Sequence, residues 1–158
     1  SRWPITQQSD AKRAAEFENI QTIVSEIRFV SASTKTSKPL LRHSGDKFVA
    51  EHAELIKKLS NASDVADSAE FGGLRLTQTG HDIWIDLDQA TIAKFVSMLK
   101  SELEATKKSV KLLAARLKNK SYTSSAPKEL VEESKRQLMT AEDLLAKQQG
   151  EYDRFNNF

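Results

Sequence analysis

The residue types that carry catalysis are sparse in this sequence of 158 residues. It has no cysteine, which excludes thiolate catalysis, disulfides and cysteine-bound zinc. Its three histidines, His43, His52 and His81, fall on different predicted elements, and none has a second histidine three or four residues away. Gly72-Gly73 lacks the surrounding glycines and lysine of a phosphate-binding loop. We therefore expect no catalytic residue, no metal and no cofactor in this chain.

Other polar residues have structural interpretations. Asp82, Asp86 and Asp88 could suggest a cation site, but a hairpin turn and a helix cap account for them more simply. His52 lies on the apolar face of a predicted helix, which favours a hydrogen-bonded core histidine over a ligand. The serines between 121 and 125 have no general base beside them, so we interpret them as a flexible polar turn.

Basic residues are concentrated in one stretch. Between Lys107 and Arg136 lie nine basic and three acidic residues, so this stretch carries +6 and the rest of the chain −4. A basic region on an acidic body is typical of a polyanion-binding element, although a lysine-rich solvated helix gives the same count. Tyr122 lies among the cations, where its ring can either stack on a base or close the end of a helical hairpin. The candidate RNA-binding residues are Lys107, Lys108, Lys111, Arg116, Lys118, Lys120, Tyr122, Lys128, Lys135 and Arg136.

These cations lie on two predicted helices with a strict heptad pattern. Seam positions recur at alternating spacings of three and four residues from Val96 to Leu117, and again from Val131 to Phe155. Antiparallel pairing about the turn at 119–127 places Leu103 opposite Leu145, and one constant register matches every other seam residue as well. The pattern therefore predicts an intramolecular helical hairpin with its basic end at the turn.

The first 87 residues combine helices with a small sheet. Apolar spacing predicts a helix over 10–30, and its face from Phe17 to Ile27 needs a partner, either the next module or helices outside this chain. The fold class is mainly α with an α+β part: a long antiparallel helical hairpin attached to a small α+β module. The predicted elements of that module are a strand at 40–42, a helix at 46–59, a brief strand near Val65 and a β-hairpin about Thr79-Gly80-His81.

The hairpin turn carries a recognisable motif. From Leu117 to Glu132 the sequence has Leu-x-Asn, an aromatic three residues after the Asn, Ala-Pro four residues later, and then an apolar residue followed by Glu. This motif resembles the turn of the C-terminal coiled-coil arm of valyl-tRNA synthetases. Ile85-Asp86-Leu87 resembles the entry to that arm. Trp3-Pro4, followed by a helix ending in Ile27-Arg28, resembles the last helix of the anticodon-binding domain in the same family.

The resemblance implies three parts: the last helix of an anticodon-binding domain at 1–30, a linker module at 31–87 and the arm at 88–158. It implies that the arm binds valine tRNA at the elbow, where the D and T loops meet, and so supports aminoacylation. The parent protein would be a cytoplasmic, monomeric class I valine-tRNA ligase that uses ATP and Mg²⁺. The His-x-Gly-His and Lys-Met-Ser-Lys-Ser motifs of that class are absent, so we expect this fragment itself to be non-catalytic.

A protein-interaction module is the alternative function. In it, the hairpin or the apolar face of the first helix docks a partner or a second copy without binding RNA. We expect no membrane as partner, since the longest apolar stretches are much shorter than a membrane span. We also expect no DNA as partner. Salt separates the two functions: RNA binding weakens steeply as salt rises, whereas burial of an apolar face persists.

Overall fold

The structure is a computed structural model that describes residues 3–69 and 72–156, with side chains described from residue 9 onward. The chain divides into two compact units, Ser1–Phe95 and Val96–Phe158. It is mainly helical with a small four-stranded sheet, which confirms the predicted fold class. The elements in chain order are α1 (Trp3–Thr34), β1 (Leu40–His43), α2 (Lys47–Glu51), α3 (Ala53–Ser60), β2 (Asp64–Asp67), β3 (Leu74–Arg75), β4 (Ile83–Ile85), α4 (Gln89–Lys118), α5 (Lys120–Ser125) and α6 (Lys128–Asn156).

Helix α1 extends beyond the predicted 10–30 at both ends and packs against α3. Its aliphatic residues Ile20, Ile23, Val24, Ile27 and Val30 are buried, while Phe17 is 53% and Phe29 36% exposed. The Arg28 guanidinium donates to the carbonyl oxygen of Leu59 at 3.0 and 2.6 Å, which fixes α1 to the end of α3. Buried Glu26 accepts the Thr77 N–H at 3.0 Å, which ties α1 to the β3–β4 hairpin. The module of the same unit therefore supplies a partner for the apolar face of α1.

The sheet has the strand order β2-β1-β4-β3. Strands β1 and β2 are parallel, and α2 and α3 form the crossover between them. Strand β4 is antiparallel to both β1 and β3, with Leu74 opposite Ile85. This arrangement confirms the predicted strands near 40 and 65 and the predicted hairpin, in whose turn Gly80 adopts a φ of 74°. The core of the module contains fully buried Leu41, Ile56 and Ile83.

The predicted single helix over 46–59 is wrong, because it is broken at His52. Asp46 begins α2 by accepting the Val49 N–H at 3.1 Å, and the chain leaves helical geometry at His52, where φ is −107° and ψ is 14°. The Phe48 ring lies 4.6 Å from the rings of both His52 and His81. This tertiary packing overrides the local helical pattern. His52 is half-buried, and within the described part of the chain its Nε2 has no hydrogen-bond partner, which does not support the expected hydrogen-bonded core histidine.

The prediction of hairpin-turn and helix-cap roles for the three aspartates is confirmed for Asp88, which caps α4, whereas Asp82 and Asp86 form ion pairs. Asp82 pairs with Arg75 at 2.7 Å and Asp86 with Arg42 at 3.1 Å. Asp88 caps α4: hydrogen bonds from Thr91, whose backbone N–H lies 2.7 Å from Oδ1, hold the pKa of the Asp88 carboxyl below its ordinary value. Within 3–69 and 72–156, no group of three or more His, Asp or Glu residues is placed to hold a metal ion.

Candidate nucleic-acid interface

Helices α4 and α6 pack together along the predicted seam. Leu99, Leu103 and Thr106 of α4 are buried, as is Ser134 of α6. The apolar seam positions nearer the turn, from Val110 to Leu117 on α4, are half-buried. A heptad seam buries these positions because they face the partner helix, while the intervening residues remain in solvent. The seam therefore holds the two helices as a hairpin that projects the residues of its turn.

The register of this hairpin agrees with the one predicted from the sequence. A groove between the helices is lined by Thr106 and Ser109 from α4 and by Gln137 and Ala141 from α6, among others. Thr106 and Ala141 are opposite each other in the predicted antiparallel pairing. Their presence on the same groove supports that pairing in the middle of the arm.

The turn between the helices is more ordered than predicted. Asn119 ends α4, and its side chain caps α5 by accepting the Ser121 N–H at 3.0 Å. Ser124 donates to the carbonyl oxygen of Lys120 at 2.7 Å, and Ser125 donates to that of Ser121. The interpretation of this segment as a flexible turn is therefore wrong: six of its residues form a short helix, in which the hydroxyls of Thr123, Ser124 and Ser125 donate to backbone carbonyl oxygens one turn back.

Tyr122 closes the end of the seam. Its hydroxyl lies 3.1 Å from Ser134 Oγ, and the Arg116 guanidinium lies 5.8 Å from the centre of its ring. The ring is half-buried and Ser134 is buried, so the tyrosine joins α5 to α6. Of the two roles considered for this ring, the geometry favours closure of the hairpin. A contact between Tyr122 and RNA stays a prediction.

The nine candidate cations differ in whether a carboxylate neutralises them. Three form ion pairs one turn away on their own helix: Lys107 with Glu104, Lys135 with Glu132, and Arg136 with Glu133, at 3.1 to 3.3 Å. Arg116 lies over Tyr122. In the described part of the chain, the other five have no ion-pair partner, and all five are exposed. These five are Lys108, Lys111, Lys118, Lys120 and Lys128.

The cations are also unevenly distributed around the hairpin. Lys107 and Lys135 directly follow the buried seam residues Thr106 and Ser134, so they lie on the same side of the two antiparallel helices. Lys111 follows Lys107 by four residues, Lys118 follows Lys111 by seven, and Lys128 precedes Lys135 by seven, which puts them on that side too. We call this side the cationic flank. It consists of Lys107, Lys111, Lys118, Lys128 and Lys135.

The opposite flank has a different chemistry. It contains the groove, whose lining includes Ser109, Gln137 and Leu144, each of which directly precedes a seam position. Leu112, Leu130 and Leu144 on this side are 71%, 54% and 45% exposed. The net basic count of the turn region did not reveal this asymmetry. The heptad positions of the individual lysines are the sequence signal that could have revealed it.

The hairpin formed by α4, α5 and α6 matches a known protein family. Residues 91–154 match the family described as the valyl tRNA synthetase tRNA binding arm. A comparison with curated proteins and one with solved structures each found no match. The matched segment contains α4 almost completely, α5 and most of α6, including all ten candidate RNA-binding residues. The match thus covers the heptad hairpin and its cationic turn. Residues 91–154 are thus similar to a valyl-tRNA synthetase tRNA-binding arm, and this similarity supports tRNA as the partner of the segment.

Proposed function

We propose that the chain is the C-terminal part of a class I valyl-tRNA synthetase, and that its arm binds the elbow of valine tRNA through the cationic flank. The observation that supports this most directly is the position of Lys111, Lys118 and Lys128. All three are exposed, unpaired among the described residues, and on one side of a hairpin whose seam is buried.

The elbow suits such a surface because the D and T loops bring several backbone segments close together. A rigid hairpin meets these phosphates with little loss of conformational entropy, since the seam already fixes the backbones that present the lysines. Recognition then depends on backbone charge and on shape more than on base edges. The ordered turn that Tyr122 and Ser134 hold together keeps the neighbouring lysines at a fixed position on the arm.

Within the enzyme we assign the arm a positioning role. It steadies the tRNA while other domains hold the anticodon and the acceptor end. We assign ATP and Mg²⁺ chemistry to those other domains, as the resemblance to the family implies. We further propose that this enzyme is monomeric and cytoplasmic and that its arm does not select DNA.

The experiment compares two matched triple charge reversals. The first changes Lys111, Lys118 and Lys128 to Glu. The control changes Lys12, Lys47 and Lys147 to Glu, since these lysines are also exposed and lie outside the cationic flank. Binding of deacylated valine tRNA is measured at several salt concentrations, with circular dichroism as the check on folding. We expect only the first variant to lose affinity, and each lost phosphate contact to reduce the slope of log affinity against log salt by about 0.7 to 0.9. Equal affinity and slope in the two folded variants would reject the cationic flank.

Contact with the tRNA elbow and specificity for valine tRNA are tested with two further RNA ligands. An acceptor–T-arm minihelix lacks the D loop, so we expect it to bind more weakly than complete valine tRNA. A non-cognate tRNA with an intact elbow is expected to bind the isolated chain about as well as valine tRNA, because an arm that reads backbone shape carries little sequence information. In the complete synthetase, the first triple variant should weaken aminoacylation and leave tRNA-independent activation of valine unchanged.

Protein interaction remains a second candidate because of the groove flank. The exposure of Leu112 and Leu130 gives this side apolar area that a partner or second copy could cover. Sedimentation at high salt tests this. Association that persists at high salt and is lost on Leu112→Glu would support it, and a monomer at all salt concentrations would not.

A further inference from the structure

A second group of cations lies on the α+β module, outside the arm. Lys35 and Lys38 are in the loop between α1 and β1, and Lys57 and Lys58 are in the last turn of α3. We call these four residues the connector surface. We propose that the connector surface binds RNA phosphates of the same tRNA that the arm binds. This inference rests on the proposed function for the identity of the RNA.

The fold brings the two lysine pairs to the same end of the module. Asn61 ends α3 in the left-handed conformation, and its side-chain amide donates to the carbonyl oxygen of Ser37 at 3.4 Å. Ser63 donates its N–H to the carbonyl oxygen of Pro39 at 2.9 Å. Ser37 and Pro39 flank Lys38, so the loop lies directly against the segment that follows Lys57 and Lys58. The two pairs are about 20 residues apart in sequence and adjacent in the fold.

The loop that carries Lys35 and Lys38 has a defined conformation. Thr36 donates its N–H to the carbonyl oxygen of Ser31 at 2.9 Å, and the hydroxyls of Thr34 and Thr36 lie 2.8 Å apart. Lys35 adopts a φ of 56°, the conformation that favours glycine at the end of a helix. A lysine at this position retains a cation where glycine would be less strained.

The lysines of the connector surface are not neutralised within the module. Lys35, Lys38 and Lys58 are exposed and Lys57 is half-buried. In the described residues, none of the four forms an ion pair. Glu54 is an acidic residue on the groove that Lys57 and Lys58 help to line, so the surface keeps a net positive charge.

Stabilisation of helix ends does not account for all four lysines. Cations near a helix C-terminus interact favourably with its dipole, and both α1 and α3 end at this surface. For α3, however, Arg28 already donates two hydrogen bonds to a terminal carbonyl oxygen, that of Leu59. Lys38 follows α1 by four residues, beyond the last turn in which the dipole acts. Several unpaired cations that converge from two segments are instead what a polyanion surface requires.

RNA is the polyanion that the rest of the chain indicates. On the proposed function the arm of this chain binds tRNA, which tethers the same RNA to the polypeptide that carries the connector surface. A second phosphate contact on a tethered module then adds to affinity as an intramolecular event, without a second search in solution.

The first experiment uses the unmodified chain, so that it does not depend on the folding of any variant. Lysines are acetylated briefly with and without valine tRNA, and modification is read by mass spectrometry. We expect tRNA to reduce acetylation of Lys35, Lys38, Lys57 and Lys58 by several-fold, and to leave Lys12 and Lys47 unchanged. Equal acetylation of the connector surface with and without tRNA, under conditions in which the arm lysines are protected, would overturn the inference.

The second experiment separates this inference from the proposed function. A variant with Lys35, Lys38, Lys57 and Lys58 changed to Gln is compared with the arm variant in which Lys111, Lys118 and Lys128 are changed to Glu. We expect the connector variant to bind valine tRNA about ten-fold more weakly at moderate salt, with a smaller salt slope. Loss of affinity in the arm variant alone would overturn the connector surface and leave the arm's function intact. Loss in the connector variant alone would support the connector surface and reject the cationic flank.

Discussion

The hydroxyl of Tyr122 and the hydroxyl of Ser134 lie 3.1 Å apart, so the short helix in the turn of the arm is joined by a hydrogen bond to the following long helix. Ser134 is 4% exposed, and it occupies a seam position where most heptad proteins place an apolar residue. A buried hydroxyl needs a partner, and Tyr122 is the one that the described residues provide.

Loss of this bond should destabilise the arm by a modest amount. Tyr122→Phe leaves Ser134 Oγ buried without a partner, so we expect the free energy of unfolding to fall by about 1 to 2 kcal/mol. Urea unfolding followed by circular dichroism measures this. Combining Tyr122→Phe with Ser134→Ala removes both hydroxyls and should cost less than the sum of the two single changes. Strict additivity would show that the two hydroxyls are not coupled.

The seam register gives a second prediction. Leu103 is 2% exposed and lies opposite Leu145 in the predicted pairing, so Leu103→Ala should lower the free energy of unfolding by about 2 to 4 kcal/mol through the cavity it leaves. Lys100 is exposed on the same helix, and Lys100→Ala should change it by only a few tenths of a kcal/mol. Thermal unfolding of both variants decides the matter. Similar losses of stability would be inconsistent with a buried seam at Leu103.

The arm could be predicted from the sequence because its determinants are local and periodic. The strict alternation of three and four residues identifies the seam positions, and a single register pairs them. The β3–β4 hairpin was predictable for a similar reason, since alternating apolar residues flank a turn with Gly80, whose φ is 74°. In both cases the residues that determine the structure are near each other in sequence.

The remaining features depend on contacts between distant residues. Glu26 accepts from Thr77 across 51 residues, and Arg28 donates to Leu59 across 31. Periodicity does not indicate which backbone group a charged side chain reaches. The sequence therefore predicts that the apolar face of α1 needs a partner, but not which segment provides it. The break at His52 has the same origin, because the Phe48 ring stacks on His81 of a hairpin much later in the chain. The connector surface likewise exists only after α3 and the α1–β1 loop come together.

The two adjacent glycines before β3 provide a matched pair for a third prediction. Gly73 adopts a φ of 101°, and a Cβ added there would lie 2.0 Å from the carbonyl oxygen of Ile85. A Cβ added at Gly72 meets nothing within 4 Å. We therefore expect Gly73→Ala to lower the free energy of unfolding by more than about 2 kcal/mol, and Gly72→Ala to have little effect. Chemical denaturation of the two variants would contradict this if both were equally stable.

The fourth prediction concerns acid stability and Asp46, whose carboxylate joins α2 to the β3–β4 hairpin. Oδ1 accepts the Val49 N–H at 3.1 Å, while Oδ2 lies 3.0 Å from His81 Nδ1 and accepts the Asp82 N–H at 3.2 Å. Burial alone would raise the pKa of Asp46, but hydrogen bonds from Val49, His81 and Asp82, together with the charge of His81, outweigh it and lower the pKa below its ordinary value.

A carboxyl whose pKa is lower in the folded state than in the unfolded state stabilises the fold when it is ionised. This contribution is complete above the unfolded pKa of about 4 and is lost as the pH falls through the lower, folded pKa. Asp46→Asn keeps an oxygen to cap α2 but replaces Oδ2 with an amide that cannot accept from His81 and Asp82. We expect the variant to be less stable than the parent by on the order of 1 kcal/mol at pH 6. The difference should shrink steadily below pH 4 as the parent's carboxylate is protonated. Urea titrations at pH 6, 4 and 3 measure it, and a constant difference across that range would show that ionisation of Asp46 contributes nothing to the stability of the module.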